Sequence, residues 1–436
     1  MKTDHTHDPA KLSWVASAND GLTDFPIQNL PLGVFSPPGD GPRCGVAIGD
    51  RIFDLREAAS RGILQSQAAD AVKHETLDVL FALGRPVMRT LRHDVFAILE
   101  SDSSKPDETL LHDMARCEMH LPTKVRNFTD FFVGIHHAQR CGEIINGDNY
   151  QLPLNYHYMP VGYNGRSSTV CVSGNDIYRP VGMRQRLSQD PQPTFGACQW
   201  MDFELEMGFF IGPGNAMGQR LSVADANAQI VGFCLLNDWS ARDIQMFEMV
   251  PLGAFNGKSS GTSISPWVVT ADAMEPFRIP AMARFPEAPP VPDYLASPAD
   301  RAEGGLGVAL AATIRTEKMR RAGEAPTPLL KTDARYLYWT CAQMVAQHTI
   351  TGCALVPGDL IGTGTISGPT RADLASLFEL TFIGREPFML PNGESRGFIE
   401  DGDEIAFSGR CEREGYASIG FGTCAGQIVP AIPTAA

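Results

Sequence analysis

The sequence predicts a mainly β fold with some α, in two parts: a small β-barrel-like unit followed by helices, then a larger β-rich domain. Three observations carry this expectation. Gly 42 and Pro 32 punctuate the chain at short intervals, which favours many short strands and turns over a helical bundle. The apolar period shifts from strand-like to helical near residue 56 and back to strand-like after residue 125. At 436 residues the chain is long enough for two to three domains of roughly 100–200 residues each, with a well-buried core.

Taken in order, residues 1–20 are polar and are expected to fray or drape over the surface. Across residues 25–55, short apolar runs alternate with turns: Leu30-Pro-Leu-Gly-Val-Phe35, Cys44-Gly-Val-Ala-Ile48 and Arg51-Ile-Phe-Asp-Leu55. The Gly49-Asp50 step between the last two reads as a tight hairpin. Leu77, Leu80, Leu83, Val87, Leu91, Val95, Ile98 and Leu99 then recur at helical spacing. The first part ends near Leu121-Pro122, giving expected domains at 1–121 and 122–436. Beyond Val125, strands are predicted at 169–172, 200–211, 230–236, 267–270, 308–314 and 377–382, and helices at 223–229, 240–248 and 336–349. Seven prolines between 276 and 298 predict an irregular surface arm.

Composition excludes several functions. Lys+Arg 36 against Asp+Glu 50 leaves a net charge of −14, which argues against nucleic acid as the partner, since phosphate binding needs a basic face. No window reaches the roughly 18 consecutive apolar residues of a membrane span, and the polar first residues lack the apolar core of a secretory signal. The ten cysteines contain no C-x-x-C pair; reduced thiols in a cytoplasmic protein are expected.

Chemistry concentrates in a few segments. In Trp200-Met-Asp-Phe-Glu-Leu-Glu-Met-Gly-Phe-Phe210, strand alternation puts Asp202, Glu204 and Glu206 on one face and Met201, Phe203, Leu205, Met207 and Phe209 on the other. Like charges two residues apart repel unless solvated or neutralised, so the acidic face is either a solvated surface or a site for a hard cation. In Leu235-Leu-Asn-Asp-Trp-Ser-Ala-Arg-Asp-Ile-Gln245, an apolar strand ends at Asn237-Asp238. Ser240-x-x-Asp243 there resembles a helix capping box, and Arg242 and Gln245 share a helix face. These are either site residues at a strand–helix corner or a plain cap with exposed charges.

The Gly-rich segment Gly253-Ala-Phe-Asn-Gly-Lys258-Ser-Ser-Gly-Thr262 carries one lysine. Its Gly253–Gly257 spacing does not fit a phosphate-binding P-loop. The G-x-S-x-G match at Gly257–Gly261 follows a turn-like run rather than a strand and is read as chance. In Phe128-Thr-Asp130-Phe-Phe-Val-Gly-Ile-His136-His137, adjacent histidines point apart; one is either a general base or a satisfied core residue. Glu379 sits in an apolar run and needs a partner if ionised. No dinucleotide fingerprint or zinc spacing occurs.

Together these segments resemble the fumarylacetoacetate hydrolase family in its full-length two-domain form. The likeness runs along nearly the whole chain. It includes Ser13-Trp14-Val15, Phe25-Pro-Ile-Gln-Asn-Leu-Pro-Leu-Gly-Val-Phe, Met159-Pro-Val-Gly-Tyr163, Asp202-Phe-Glu-Leu-Glu-Met, Asn237-Asp-Trp-Ser-Ala-Arg-Asp-Ile-Gln, Gly364-Thr-Ile-Ser-Gly-Pro and Gly420-Phe-Gly-Thr-Cys-Ala-Gly. The resemblance implies an N-terminal SH3-like barrel, a C-terminal mixed β-sandwich roll and a homodimer. It also implies metal-dependent hydrolysis of a 1,3-diketo acid, fumarylacetoacetate to fumarate and acetoacetate or a close analogue, in homogentisate-type aromatic amino-acid catabolism.

By that resemblance Asp130, Glu204, Glu206 and Asp238 bind a Ca²⁺ or Mg²⁺ ion, His137 is the base and Glu379 orients it. Arg242, Gln245 and Lys258 hold the polarised oxygens, Thr262 lies with Lys258 near the metal, and Tyr163 and Thr365 lie by the substrate. Three substrate-end positions depart from the family, which commonly has Tyr, Arg and Tyr where this chain has Phe132, Asn146 and Met249. The expectation is retained catalysis with preference shifted towards a less anionic or more apolar diketone, unless Arg140 replaces the missing charge. Decarboxylation or keto–enol isomerisation on the same scaffold, and a non-catalytic binding dimer, are the alternatives.

Overall fold

The computed structural model describes residues 3–103, 107–186 and 190–433. It shows a mixed α/β fold with many strands. The first sheet is antiparallel and five-stranded, built from Leu32–Ser36, Arg43–Ile48, Arg51–Asp54, Leu111–Asp113 and Glu118–His120. The expected hairpin is there: Ile48 pairs with Arg51 around Gly49-Asp50, and Gly49 takes the positive φ of 56° that such a turn requires. The helical stretch resolves into short helices ending in Gly84–Leu99, whose buried residues Met88, Leu91, Val95, Phe96 and Leu99 follow the predicted three-to-four spacing. They pack with Phe210, Val231, Leu236 and Leu360 of the next sheet, so one core runs under both.

From Thr3 onward the amino-terminal segment is docked on the fold rather than frayed. Asp4 caps a 3-10 turn at His5–His7, and Thr6 and His7 are buried. The buried Arg92 guanidinium donates to Thr6 Oγ1 (2.9 Å) and Asn29 O (2.6 Å). A polar segment can be this ordered because its polar atoms meet a buried cation rather than an apolar surface.

The eight-stranded sheet positions the site. Its centre is the antiparallel pair Leu205–Ile211 and Ile230–Asp238, in register Leu205 to Asn237. Thr262–Ile264 pairs on one side, bringing Thr262 opposite Asp238. Leu360–Gly362 pairs on the other, with Gly208 opposite Gly362, and next to it Phe128–Phe131 runs parallel with Gly362 opposite Asp130. A second, five-stranded sheet (Thr327–Asp333, Ala309–Arg315, Glu404–Cys411, Ile419–Val429, Asp176–Tyr178) shares the main core. Phe203 meets Phe407 there, ring centroids 5.5 Å apart.

Several expected elements change. The strand at 200–211 is broken: Met201–Asp202 pairs with Ser240–Ala241, and the ladder resumes at Leu205. The run at 377–382 is not a strand. Leu377–Leu380 is one helical turn whose N-cap, Ser376, accepts from Glu379 N; the cap outweighs the apolar pattern. The helix at 240–248 starts at Arg242, and the expected capping box is absent. Ser240 Oγ instead donates to Asp238 O, and Asp243 accepts from Gln199 N. The helix at 336–349 is Cys341–Thr349, opened by a true capping box of Thr340 and Gln343. The proline-rich arm is irregular apart from short turns at Glu275–Phe277 and Asp293–Leu295 and the two-residue strand Arg278–Ile279. Among the described residues no helix is long and apolar enough to cross a membrane, and all ten cysteines are free.

Candidate active site

The sheet register brings Asp130, Glu206 and Asp238 together, with one carboxylate oxygen from each lying within 4.8 Å of the others. All three are buried, at 2%, 0% and 0% exposure. Among the described residues, Asp130 Oδ1, Glu206 Oε1 and Asp238 Oδ1 have no hydrogen-bond partner. Burial and the neighbouring carboxylates push Asp130 and Glu206 well above the usual carboxylate range. Three buried oxygen donors with unfilled lone pairs fit a hard divalent cation, which relieves both their desolvation and their mutual repulsion.

The surrounding residues hold this cage open. A Cβ on Gly362 would lie 2.4 Å from Asp130 Oδ1 and 3.3 Å from Glu206 Oε2. Gly364, at φ 76°, donates its N–H to Glu206 Oε2 (2.9 Å). Tyr163 Oη donates to Asp238 Oδ2 (2.8 Å) and Asp130 Oδ2 (3.1 Å). Thr262 is buried beside Asp238 through its strand pairing.

The acidic strand face is therefore not solvated, but its members have separate fates. Asp202 lies outside the cage. Its Oδ2 accepts from Arg242 Nε and Nη2 (3.0 and 2.9 Å), and its Oδ1 accepts from the backbone N–H groups of Phe203 and Leu377. Glu204 lies at the rim. It receives Arg242 Nη1 at 2.5 Å and the ammonium of Lys258. Burial opposes its charge, yet Lys258 and Arg242 hold its carboxyl far below the usual range. Lys258 also donates to Asp238 Oδ2 (2.7 Å) and Ser240 Oγ (2.8 Å). Gln245 joins through Oε1, which accepts from Arg242 at 3.4 Å.

The two histidines point apart as expected. His136 packs edge-on against Phe285 and Tyr336. His137, on the helix Ile135–Asn146, turns inward and is 2% exposed. Its Nδ1 lies 2.7 Å from Glu379 Oε2 and its Nε2 3.8 Å from Glu204 Oε1. A carboxylate only accepts, so Nδ1 carries the proton and Nε2 faces the cage.

Glu379 also accepts from Ser367 Oγ (2.7 Å), Ser376 Oγ (2.8 Å) and Arg140 Nη1 (2.8 Å). Burial works against its charge, but His137 and Arg140 bring it down to about 2. Burial likewise opposes an imidazolium at His137, but Cys141, whose Sγ is 3.6 Å from Nε2, and Glu379 raise it to about 10.

Arg140 does not supply a free charge at the substrate end. Its guanidinium is committed to Glu379 and, through Nη2, to Gly368 O (3.2 Å). The partners expected for Glu379 from the sequence do not include Ser367, Ser376 and Arg140. The Ser376-x-x-Glu379 spacing is an N-cap signal that could have revealed one of them. Arg140→Met leaves the dyad with one charge-assisted donor fewer, worth about 1.5–3 kcal/mol for a bond to a charged group. The expected result is a fall in kcat of about tenfold or more with KM little changed, and partial recovery in Arg140→Lys.

The substrate-end residues are spread more widely. Phe132, 36% exposed, sits edge-on to His137 with ring centroids 5.6 Å apart. Thr365 Oγ1 is buried and has no hydrogen-bond partner among the described residues. Asn146 and Met249 stand at the ends of two helices. Asn146 Nδ2 bonds back to Gly142 O (3.1 Å), and Met249 is 42% exposed.

The family model for the "Fumarylacetoacetate (FAA) hydrolase C-terminal" region matches residues 127–429, and that for "Fumarylacetoacetase N-terminal" matches residues 28–122. The chain belongs to the fumarylacetoacetate hydrolase family. Curated fumarylacetoacetases share this length. The Oryza sativa subsp. japonica protein is 42% identical over 94% of this chain and 95% of its own. The Arabidopsis thaliana protein is 42% identical over 94% and 96%, and the Homo sapiens protein 41% over 97% and 99%. The C-terminal family match contains every cage and dyad residue, from Asp130 to Glu379.

Proposed function

We propose that the chain hydrolyses a carbon–carbon bond in a 1,3-diketo acid, fumarylacetoacetate or a close analogue, as in homogentisate-type catabolism. One observation supports this most: a histidine–carboxylate dyad faces a buried cage of three carboxylates whose free oxygens call for a cation. We assign Asp130, Glu206 and Asp238 as cation ligands, with Glu204 at the rim. The all-oxygen donor set suits Mg²⁺ or Ca²⁺. When bound, such an ion supplies Lewis acidity to the substrate's carbonyl oxygens.

The protein's own residues supply the rest. Glu379 fixes the imidazole so that Nε2 takes a proton from water. The resulting hydroxide oxygen bonds to one carbonyl carbon, giving a tetrahedral alkoxide. Collapse of that alkoxide breaks the carbon–carbon bond, and the electron pair leaves as an enolate delocalised into the second carbonyl. The imidazolium returns its proton to the enolate carbon. Arg242 and Lys258 contribute fixed positive charge beside the developing enolate. Most of their N–H groups are already held by Asp202, Glu204, Asp238 and Ser240, so what they offer is chiefly field. Positive charge in the cage also acts against the imidazolium, as a base working at neutral pH requires.

The substrate end favours a shifted preference. Phe132 and Met249 offer apolar surface, Asn146 is neutral and Arg140 is occupied. Restoring the family pattern by Phe132→Tyr, Asn146→Arg and Met249→Tyr together is expected to raise kcat/KM for fumarylacetoacetate about tenfold or more relative to neutral alkyl 1,3-diketones, the scale of one charged hydrogen bond. A wild-type enzyme that already prefers the dianion strongly would refute the shift.

We further propose domains at 1–121 and 122–436, an SH3-like first unit and a roll behind it. The five-stranded sheet lying wholly within 32–120 supports the boundary. The free thiols support a cytoplasmic location. A homodimer is supported by a band of exposed apolar residues: Val181, Met183 and Phe195 on one hairpin, and Val250, Leu252 and Phe255 after the neighbouring helix. Phe195→Asp with Leu252→Asp is expected to yield monomers in size-exclusion chromatography with light scattering; an unchanged mass would reject this face.

A further inference from the structure

The polar amino terminus carries a second group of metal-ligand type, remote in kind from the carboxylate cage. Asp4, His5 and His93 each place a ligand atom so that all lie within 4.8 Å of one another. Asp4 Oδ2 and His93 Nε2 are 2.8 Å apart, and the His5 and His93 rings are 4.9 Å apart at 57°. A tetrahedral ion with bonds near 2.0–2.2 Å needs its donors about 3.3–3.5 Å apart. Small side-chain rotations therefore close the set around an ion.

The group is held in advance, although it lies near the chain end. Asp4 Oδ1 accepts from Thr6 N (3.0 Å) and Thr6 Oγ1 (2.7 Å), which leaves Oδ2 turned to His93. Thr6 is fully buried and bound by Arg92, the residue next to His93 on the helix Gly84–Leu99. His7 Nε2 lies 2.8 Å from Asp272 O and fixes the following residue. His5 also stacks edge-on to Phe96 on the same helix, at 5.6 Å. Segment and helix thus present their ligands from two backbones already locked together. A fourth position opens to water, because His5 is exposed.

We infer that Asp4, His5 and His93 form a binding site for a borderline transition-metal ion of the Zn²⁺ class. Two imidazoles and one carboxylate select such an ion over Mg²⁺ or Ca²⁺, which prefer oxygen alone. The ion would act as a clasp, tying the amino-terminal segment to the helix beneath it.

The test uses the untagged full-length chain with Mg²⁺ present in excess, titrated with Zn²⁺ by equilibrium dialysis and followed by thermal unfolding. Wild type is expected to bind one more equivalent of Zn²⁺ than His5→Ala/His93→Ala, and to gain several degrees in Tm that the double variant does not. Asp4→Asn should weaken binding about tenfold or more. His74→Ala, which removes an exposed histidine elsewhere, should match wild type. Hydrolytic activity in Mg²⁺ should be the same in all four proteins. Equal Zn²⁺ stoichiometry and affinity in wild type and the double variant would overturn the site, as would an equal loss in His74→Ala.

Discussion

His137→Ala lowers kcat by about 10²–10⁴-fold, the range that a positioned general base contributes, while bound divalent metal stays at the wild-type level. The geometry separates these two readouts. His137 contributes no oxygen to the cage, and its Nδ1 is taken by Glu379 at 2.7 Å. Its other ring nitrogen, Nε2, faces the rim of the cage, 3.8 Å from Glu204 Oε1. The fold is expected to survive, because the helix Ile135–Asn146 also buries Ile135, Ala138 and Ile144. The stability change has a definite sign with pH. In the metal-free protein His137 is raised to about 10, so there the stability from its pairing with Glu379 is complete below its ordinary pKa near 6.5 and fades as pH rises towards 10. The variant's Tm deficit should therefore shrink on the alkaline side. Metal loss equal to the activity loss would show that the residue is structural.

Glu206→Gln is the second large effect, and its two parts have opposite signs. The amide keeps the shape and still accepts from Gly364 N–H, but one buried charge disappears. In metal-free protein, burial and the neighbouring Asp130 and Glu204 charges already resist ionisation at this position. Removing the charge should leave Tm unchanged or raise it. In the presence of Mg²⁺ or Ca²⁺, affinity falls about a hundredfold or more, since even residues that only orient a metal ligand are worth 10–100-fold. Turnover falls with it. Isothermal titration with each metal and thermal unfolding with and without metal read both parts. An apo form destabilised by several degrees together with unchanged metal affinity would place the cation elsewhere.

Much of this site was legible in the sequence because its residues occupy short, specific motifs. Asp202-Phe-Glu-Leu-Glu alternates correctly, and Glu206 and Asp238 fall where strand pairing carries them inward. What the motif could not show is that the strand breaks after Asp202. Asp202 and Glu204 then serve Arg242 and Lys258, while Glu206 alone of the three stays in the cage. Glu379 was found as a buried acid, but in the wrong element. Four apolar residues around it suggest a strand, whereas the Ser376 hydroxyl turns them into a single helical turn.

The docking of the amino-terminal segment is not legible in the sequence for a related reason. Its order depends on Arg92, more than eighty residues away, and no local pattern reports a buried cation that distant. Arg140 shows the same limit at the site itself. Its type suggested a replacement for the missing substrate-end charge, and only the fold reveals that Glu379 already holds it.

Cation-assisted hydrolysis of a carbon–carbon bond by the His137–Glu379 dyad leaves a signature in its products. The most direct measurement is product analysis by mass spectrometry on fumarylacetoacetate or a neutral 1,3-diketone analogue, in water and in ¹⁸O-water, before and after chelation. Cation-assisted hydrolysis yields two fragments from one substrate, with ¹⁸O in the newly formed carboxylate. It also requires loss of turnover on chelation and recovery with Mg²⁺ or Ca²⁺. Release of CO₂, rearrangement without cleavage, or cleavage that proceeds unchanged after chelation would contradict it.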